Sequence, residues 1–235
     1  MSKIDLRLGD CLEVMKTIPS KSIDAIICDL PYGTTRNKWD SIISLDLIWL
    51  QYKRIIKNDG AIILNSAQPF TSVLINSNLK DFKYCWYWQK NRATGVLNAK
   101  KQPLRNIEEI CVFNVKKYKP QGLIEVNKPS RNSKKDYDNY GKGTCKDYTQ
   151  KYTNYPKQLI NFNSIQRTVH PTQKPLELLE YLIKTYTNEG DTILDNTMGS
   201  GTTMLACKNL NRNGIGIENN EKYFKIAEER VNSAD

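Results

Sequence analysis

Apolar residues follow two rhythms along this 235-residue chain. Short runs such as Ile23-Asp-Ala-Ile-Ile-Cys28 and Thr192-Ile-Leu194 are bounded by turn residues and read as strands. Between such runs, Leu176, Leu179, Leu182 and Ile183 recur at helical spacing, as do Phe224, Ala227 and Val231, and these stripes are expected to face a core. Carried along the chain, the pattern predicts strands at 3–8, 23–29, 61–65, 84–89, 107–114, 192–195 and 214–218. It predicts helices at 11–18, 45–56, 69–76, 175–187, 203–210 and 221–231. Alternating strands and helices imply an α/β fold, here a seven-stranded, mostly parallel sheet with helices on both faces. The segments 84–89 and 107–114 have no long helix between them, so that pair is expected to be antiparallel.

Composition narrows the possibilities. Hydrophobic residues make up 39% of the chain and the mean hydropathy is −0.59, which fits a soluble protein with one sizeable core. The start, Met1-Ser-Lys-Ile-Asp5, is polar, and no apolar run approaches the roughly 18 residues of a spanning helix; a cytoplasmic protein with no membrane partner is expected. Six cysteines (11, 28, 85, 111, 145 and 207) form no C-x-x-C pair, so neither a zinc site nor a disulfide framework is expected, and Cys28 and Cys111 read as small core residues. His170 is the single histidine, followed by Pro171 and Pro175 in an expected loop, so no metal centre is expected.

Two motifs carry chemistry. Asp29-Leu-Pro-Tyr32 follows directly on an apolar strand, which gathers a carboxylate, a proline carbonyl and an aromatic ring at one strand end. A nucleobase amino group is a poor nucleophile because its lone pair is delocalised into the ring. Acceptors such as Asp29 and the Pro31 carbonyl, bonded to its hydrogens, help localise that pair, while Tyr32 can stack on the base. A strand ending in an ordinary Asx-Pro turn is the plainer alternative. The second motif is Thr192-Ile-Leu-Asp195 followed by Gly199-Ser-Gly-Thr202: a strand, an acidic residue and a tight glycine turn opening a helix, the cradle for a nucleotide-like ligand. Met204 stands where a dinucleotide fingerprint has its third glycine and no phosphate-loop lysine follows, which argues against NAD and ATP. A further strand, Gly214-Ile-Gly-Ile-Glu218, ends in a carboxylate suited to a ribose diol.

In this order, with Gly9-Asp10 before them and His170-Pro-Thr-Gln-Lys-Pro175 between, the motifs resemble the amino-group DNA methyltransferases that use S-adenosyl-L-methionine, in the circularly permuted arrangement of the β class. The resemblance spans nearly the whole chain and implies a Rossmann-like methyltransferase fold. Leu30 departs from the commonest pattern, which has proline there, as does Asn196-Thr-Met198, where proline and an aromatic often stand. By resemblance, Asp29, Pro31 and Tyr32 are the catalytic residues; Asp10, Lys174, Asp195, Gly199, Ser200, Gly201, Thr202 and Glu218 bind the cofactor; and the leading aspartate points to N6 of an adenine flipped out of double-stranded DNA. Residues 1–115 would be the catalytic half and 170–235 the cofactor half of one domain. Residues 116–169 would form a target-recognition insertion, carrying twelve Lys/Arg against four Asp/Glu, most of the chain's net +10. Six tyrosines (118, 137, 140, 148, 152 and 155) are interleaved with those lysines, and few aliphatic side chains lie between 128 and 155, so the segment is expected to order with DNA. A solvated loop is the bland reading of the same charge. Candidate DNA contacts are Lys90, Arg92, Lys100 and Lys101 in a basic loop at 90–101, with Lys134, Lys135, Lys142 and Lys146 in the insertion. The resemblance admits a homodimer and a cognate restriction enzyme as further partners. Cytosine N4 or structured RNA as substrate, a non-catalytic nucleic-acid-binding module, and a nicotinamide-dependent oxidoreductase are the alternatives.

Overall fold

Strand β2 (Ile23–Asp29) lies at the centre of the main sheet. In the computed structural model, which describes residues 2–33, 41–130, 148–166 and 173–233, β2 pairs in parallel with β3 (Ile56–Ser66) on one side and β9 (Thr192–Asp195) on the other. Beyond β9 lie β10 (Asn213–Glu218) and β1 (Ile4–Leu8), both parallel. Beyond β3 lie β5 (Arg105–Phe113) and β4 (Phe82–Thr94), antiparallel to their inner neighbours as expected, and then β8 (Leu159–Asn161), parallel to β4. The sheet order is β1-β10-β9-β2-β3-β5-β4-β8, eight strands rather than seven. The eighth leaves no pattern because three residues, Leu-Ile-Asn, are too short to show a period, and their place is set by pairing Leu159 with Tyr87 and by Trp88 Nε1 donating to the Phe162 carbonyl.

Side chains of β2 alternate between two cores, which explains its near-continuous apolar run. Ile26 and Cys28 pack with α1 (Cys11–Met15), α2 (Leu45–Ile55) and α3 (Phe70–Ser77). Ala25 and Ile27 pack with α4 (Leu176–Tyr186), α5 (Thr202–Asn209) and α6 (Glu221–Asn232). Helix limits lie close to expectation except in α1, which stops at Met15. The next amides bond three residues back, Lys16 to Glu13 and Thr17 to Val14, and Pro19 follows. Strand β4 runs on to Thr94, so residues expected as a basic loop are partly a hairpin arm, closed by a 3-10 turn at Val96–Asn98.

Residues 1–119 with 158–235 form one compact unit and residues 120–157 a second. The sheet unit thus takes in 158–166 from the stretch assigned to the insertion, and the strands of the two flanking segments share one sheet. Within the second unit, β6 (Ile124–Ser130) and β7 (Tyr148–Thr153) form an antiparallel pair with Tyr148, Tyr152 and Tyr155 exposed. Lys134, Lys135, Lys142 and Lys146 lie outside the described residues, as does His170. Among the described residues no helix is long and apolar enough to cross a membrane, no His/Cys/Asp/Glu group could hold a metal, and all five cysteines are free and buried.

Candidate active site

Parallel strands that adjoin in a sheet bring their C-terminal ends to one edge, and where helices leave for opposite faces a crevice opens. Here β2 and β9 are such neighbours, and a cavity of about 290 Å³ lies over their ends and that of β10. Asp29 at the end of β2, and Pro31 and Tyr32 just after it, line the cavity. The Tyr32 hydroxyl donates to Asp29 Oδ1 at 2.5 Å, and its ring stacks on Phe70 with centroids 5.3 Å apart. Tyr32 is therefore a fixed wall, held at its tip by the carboxylate and on one face by α3.

Asp10, Asp195, Gly199 and Glu218 line the other side. Glu218 is held at both oxygens, Oε2 by the Gly199 amide at 2.9 Å and Oε1 by the Asn220 amide at 2.8 Å, which ties the glycine turn to the end of β10. Burial raises the Glu218 carboxyl above its ordinary value in spite of these donors. Asp10 caps α1 through Oδ1, 2.8 Å from the Leu12 amide. Asp195 is pushed up to about 7 by burial, against bonds from Thr203 and the Thr197 amide and with the nearby charges of Asp29 and Glu218 adding to the rise. A cationic ligand would relieve three carboxylates crowded into one cavity. Buried atoms without a hydrogen-bond partner among the described residues, Asn65 Oδ1 and Asn196 Nδ2, belong to residues that line the same cavity, so the site offers polar valence to a ligand.

Ser200 and Thr202 also line the cavity, and Arg230 of α6 grips this turn from behind through Ser200 Oγ (2.8 Å) and Thr202 Oγ1 (3.1 Å). Gly201 does not line it. Its φ is +75°, and a Cβ there would lie 2.9 Å from the Ala227 Cβ, so this glycine serves the close approach of α5 to α6. The unusual Asn196-Thr-Met198 has structural work: Asn196 Oδ1 accepts from Tyr52 at 2.5 Å, Thr197 Oγ1 donates to the Asp29 carbonyl at 3.0 Å, and Met198 packs where a side chain on Gly216 would stand. Thr197 thereby joins the glycine motif to the Asp29 motif. Met204, in place of a third glycine, fills the space over Gly214.

Lys174 lines the same cavity, with its ammonium turned to two carboxylates. Its Nζ donates to Asp29 Oδ2 at 2.6 Å, lies 3.4 Å from Glu108 Oε2, and stands 5.9 Å from the Tyr32 ring centroid. Burial alone would depress this ammonium, but the Asp29 and Glu108 carboxylates reverse the effect and raise it to about 12. Lys90, expected in a basic surface loop, is instead mostly buried, 2.8 Å from Glu108 Oε1, with its ammonium over Trp88. Burial raises Glu108, but Lys174 and Lys90 outweigh it and hold the carboxyl below its ordinary value. Arg92, Lys100 and Lys101 are exposed on the hairpin arm. The motifs alone do not point to Glu108, Asn65, Asn196 or Arg230. Asn196 shows in the sequence only as a departure from the family pattern, and Asn65 as a polar residue closing an apolar strand, where it proves to be the register partner of Asp29.

The sequence profile of the DNA methylase family, N6/N4 type, matches residues 23–229. Among similar proteins, the Type II methyltransferase M.HpaI of Haemophilus parainfluenzae is 29% identical over 98% of this chain and 75% of its own length. The DNA adenine methyltransferase YhdJ of Escherichia coli is 30% identical over 96% of this chain and 82% of its own. The crystal structure of the M1.HpyAVI–SAM complex superposes with a TM-score of 0.67 at 28% identity, covering 97% of this chain and 99% of that one. The cytosine-N4-specific PvuII DNA methyltransferase superposes with a TM-score of 0.72 over 98% of this chain and 86% of that one, at 15% identity, which speaks for the fold alone. With a profile match from β2 to α6 and both chemical motifs facing one cavity, the chain belongs to the DNA methylase family.

Proposed function

We propose that the chain transfers a methyl group from S-adenosyl-L-methionine to N6 of an adenine flipped out of double-stranded DNA. The observation that carries this reading is the hydrogen bond from Thr197 to the Asp29 carbonyl, which holds Asp29 beside the glycine turn. Glu218 would hold the ribose, Asp10 the adenine edge of the cofactor, and Gly199, Ser200 and Thr202 its methionine part. The cofactor supplies a methyl group made electrophilic by a sulfonium sulfur. Asp29 and the Pro31 carbonyl accept hydrogen bonds from the amino group, which returns its lone pair to nitrogen, and Tyr32 bounds the base. The nitrogen becomes cationic as it gains the methyl group. The Asp29 carboxylate faces that charge, and the proton lost by the nitrogen passes to solvent. No covalent bond to the protein is required.

Adenine is favoured by the leading aspartate and by the likeness to YhdJ, whose name gives that base. A cytoplasmic location, a homodimer and a cognate restriction enzyme belong to the same reading by resemblance and rest on no contact within this chain. Asp29→Ala should lower methyl transfer by about a thousandfold or more while cofactor affinity, read by calorimetry, stays within a few-fold. A variant that keeps full turnover sinks the assignment of Asp29.

A further inference from the structure

Asp29 has both oxygens engaged before any base arrives: Oδ1 by Tyr32 and Oδ2 by the Lys174 ammonium at 2.6 Å. An ammonium N–H on that carboxylate is the same kind of donor that the target amino group presents. A fixed cation there would also oppose the positive charge that grows on the amino nitrogen during transfer. Glu108 offers the way out. Its Oε1 is anchored by Lys90 at 2.8 Å, whereas its Oε2 is buried, accepts no hydrogen bond among the described residues, and lies 3.4 Å from Lys174 Nζ. The four charges alternate as Asp29, Lys174, Glu108 and Lys90, so the ammonium can pass from one carboxylate to the other without standing unpaired in a largely buried site.

We propose that Lys174 holds the place of the target amino group on Asp29 and moves to Glu108 Oε2 when the base enters, with Glu108 as the positioning residue that receives it. The inference rests on the amino-group methylation reading given above. Lys90 fixes the receiving carboxylate, and β5 presents it because Glu108 stands opposite Trp88 in the register with β4. No proton is transferred in this exchange.

Two measurements test it. In methyl transfer to genomic DNA, Glu108→Gln strands the ammonium on Asp29, so kcat should fall roughly tenfold or more and KM for DNA should rise; Tm should drop because Lys90 loses its counter-charge, while cofactor affinity stays near wild type. Glu108→Asp, which restores the charge, should recover part of the loss. A Glu108→Gln enzyme within twofold of wild type, or one that loses cofactor binding in step with turnover, overturns the proposal. Should the variants fail to fold, a crystal structure of the unmodified protein with the demethylated cofactor product and its DNA decides: Lys174 Nζ on Glu108 supports the exchange, and Nζ still on Asp29 beside a bound base overturns it. If wild type methylates no amino group at all, the functional reading has failed, an outcome visible before any variant is made.

Discussion

Asp195 stands between two other carboxylates, Asp29 and Glu218, and burial with their charges lifts it to about 7 from the ordinary 3.8. The folded protein therefore disfavours the ionised form. The stabilising effect of the protonated group is complete below the unfolded value and is lost as pH rises toward 7. A sulfonium placed in this cavity reverses the preference, since a cation favours ionised Asp195. S-adenosyl-L-methionine should thus release a proton on binding, and its affinity should rise with pH up to about 7 and then level off. The demethylated product has the same amino-acid tail but a neutral sulfur, so calorimetry in buffers of different ionisation enthalpy should show a smaller release. Equal proton release for the two ligands would remove Asp195 from the neighbourhood of the sulfonium. Nothing local in Thr-Ile-Leu-Asp announces this shift; it arises because parallel neighbours in the sheet deliver their acidic ends to one place.

At the level of elements, the glycine turn does two jobs that look alike in sequence. Gly199 gives its amide to Glu218 and lines the cavity, whereas Gly201 keeps α5 against Ala227 of α6. Gly201→Ala combines a positive φ with a Cβ clash and should cost about 1–3 kcal/mol, lowering Tm by several degrees. Thermal denaturation checks it, and an unchanged Tm would mean the two helices part easily. The period of apolar residues makes the helices and inner strands legible because each is a property of one segment. The edge strand β8, the extension of β4 to Thr94 and the pairing of Lys90 with Glu108 stay hidden because each depends on what lies across a register, which no local pattern records. Lys90 in particular reads as one more base in a basic run until the sheet turns it inward.

Over the whole molecule, the net +10 is unevenly spread, and the described cations that remain exposed include Arg92, Lys100 and Lys101 on the β4–β5 arm. If this arm meets DNA phosphates, replacing the three by glutamine should weaken binding and flatten the dependence of log K on log salt by about 0.9 for each phosphate no longer neutralised. An unchanged slope returns the arm to ordinary solvated surface. The order of the motifs makes the site's broad chemistry readable from sequence, because Asp29, the Gly199 turn and Glu218 each close a strand and strand ends converge. The charge relay behind Asp29 is not readable there, since its members come from β4, β5 and the lead into α4. The most direct test is to incubate the protein with unmethylated genomic DNA and methyl-labelled S-adenosyl-L-methionine, digest to nucleosides and identify the labelled base by mass. Label on N6-methyladenine is expected; label confined to N4-methylcytosine contradicts the assigned base, and DNA without label contradicts amino-group transfer itself.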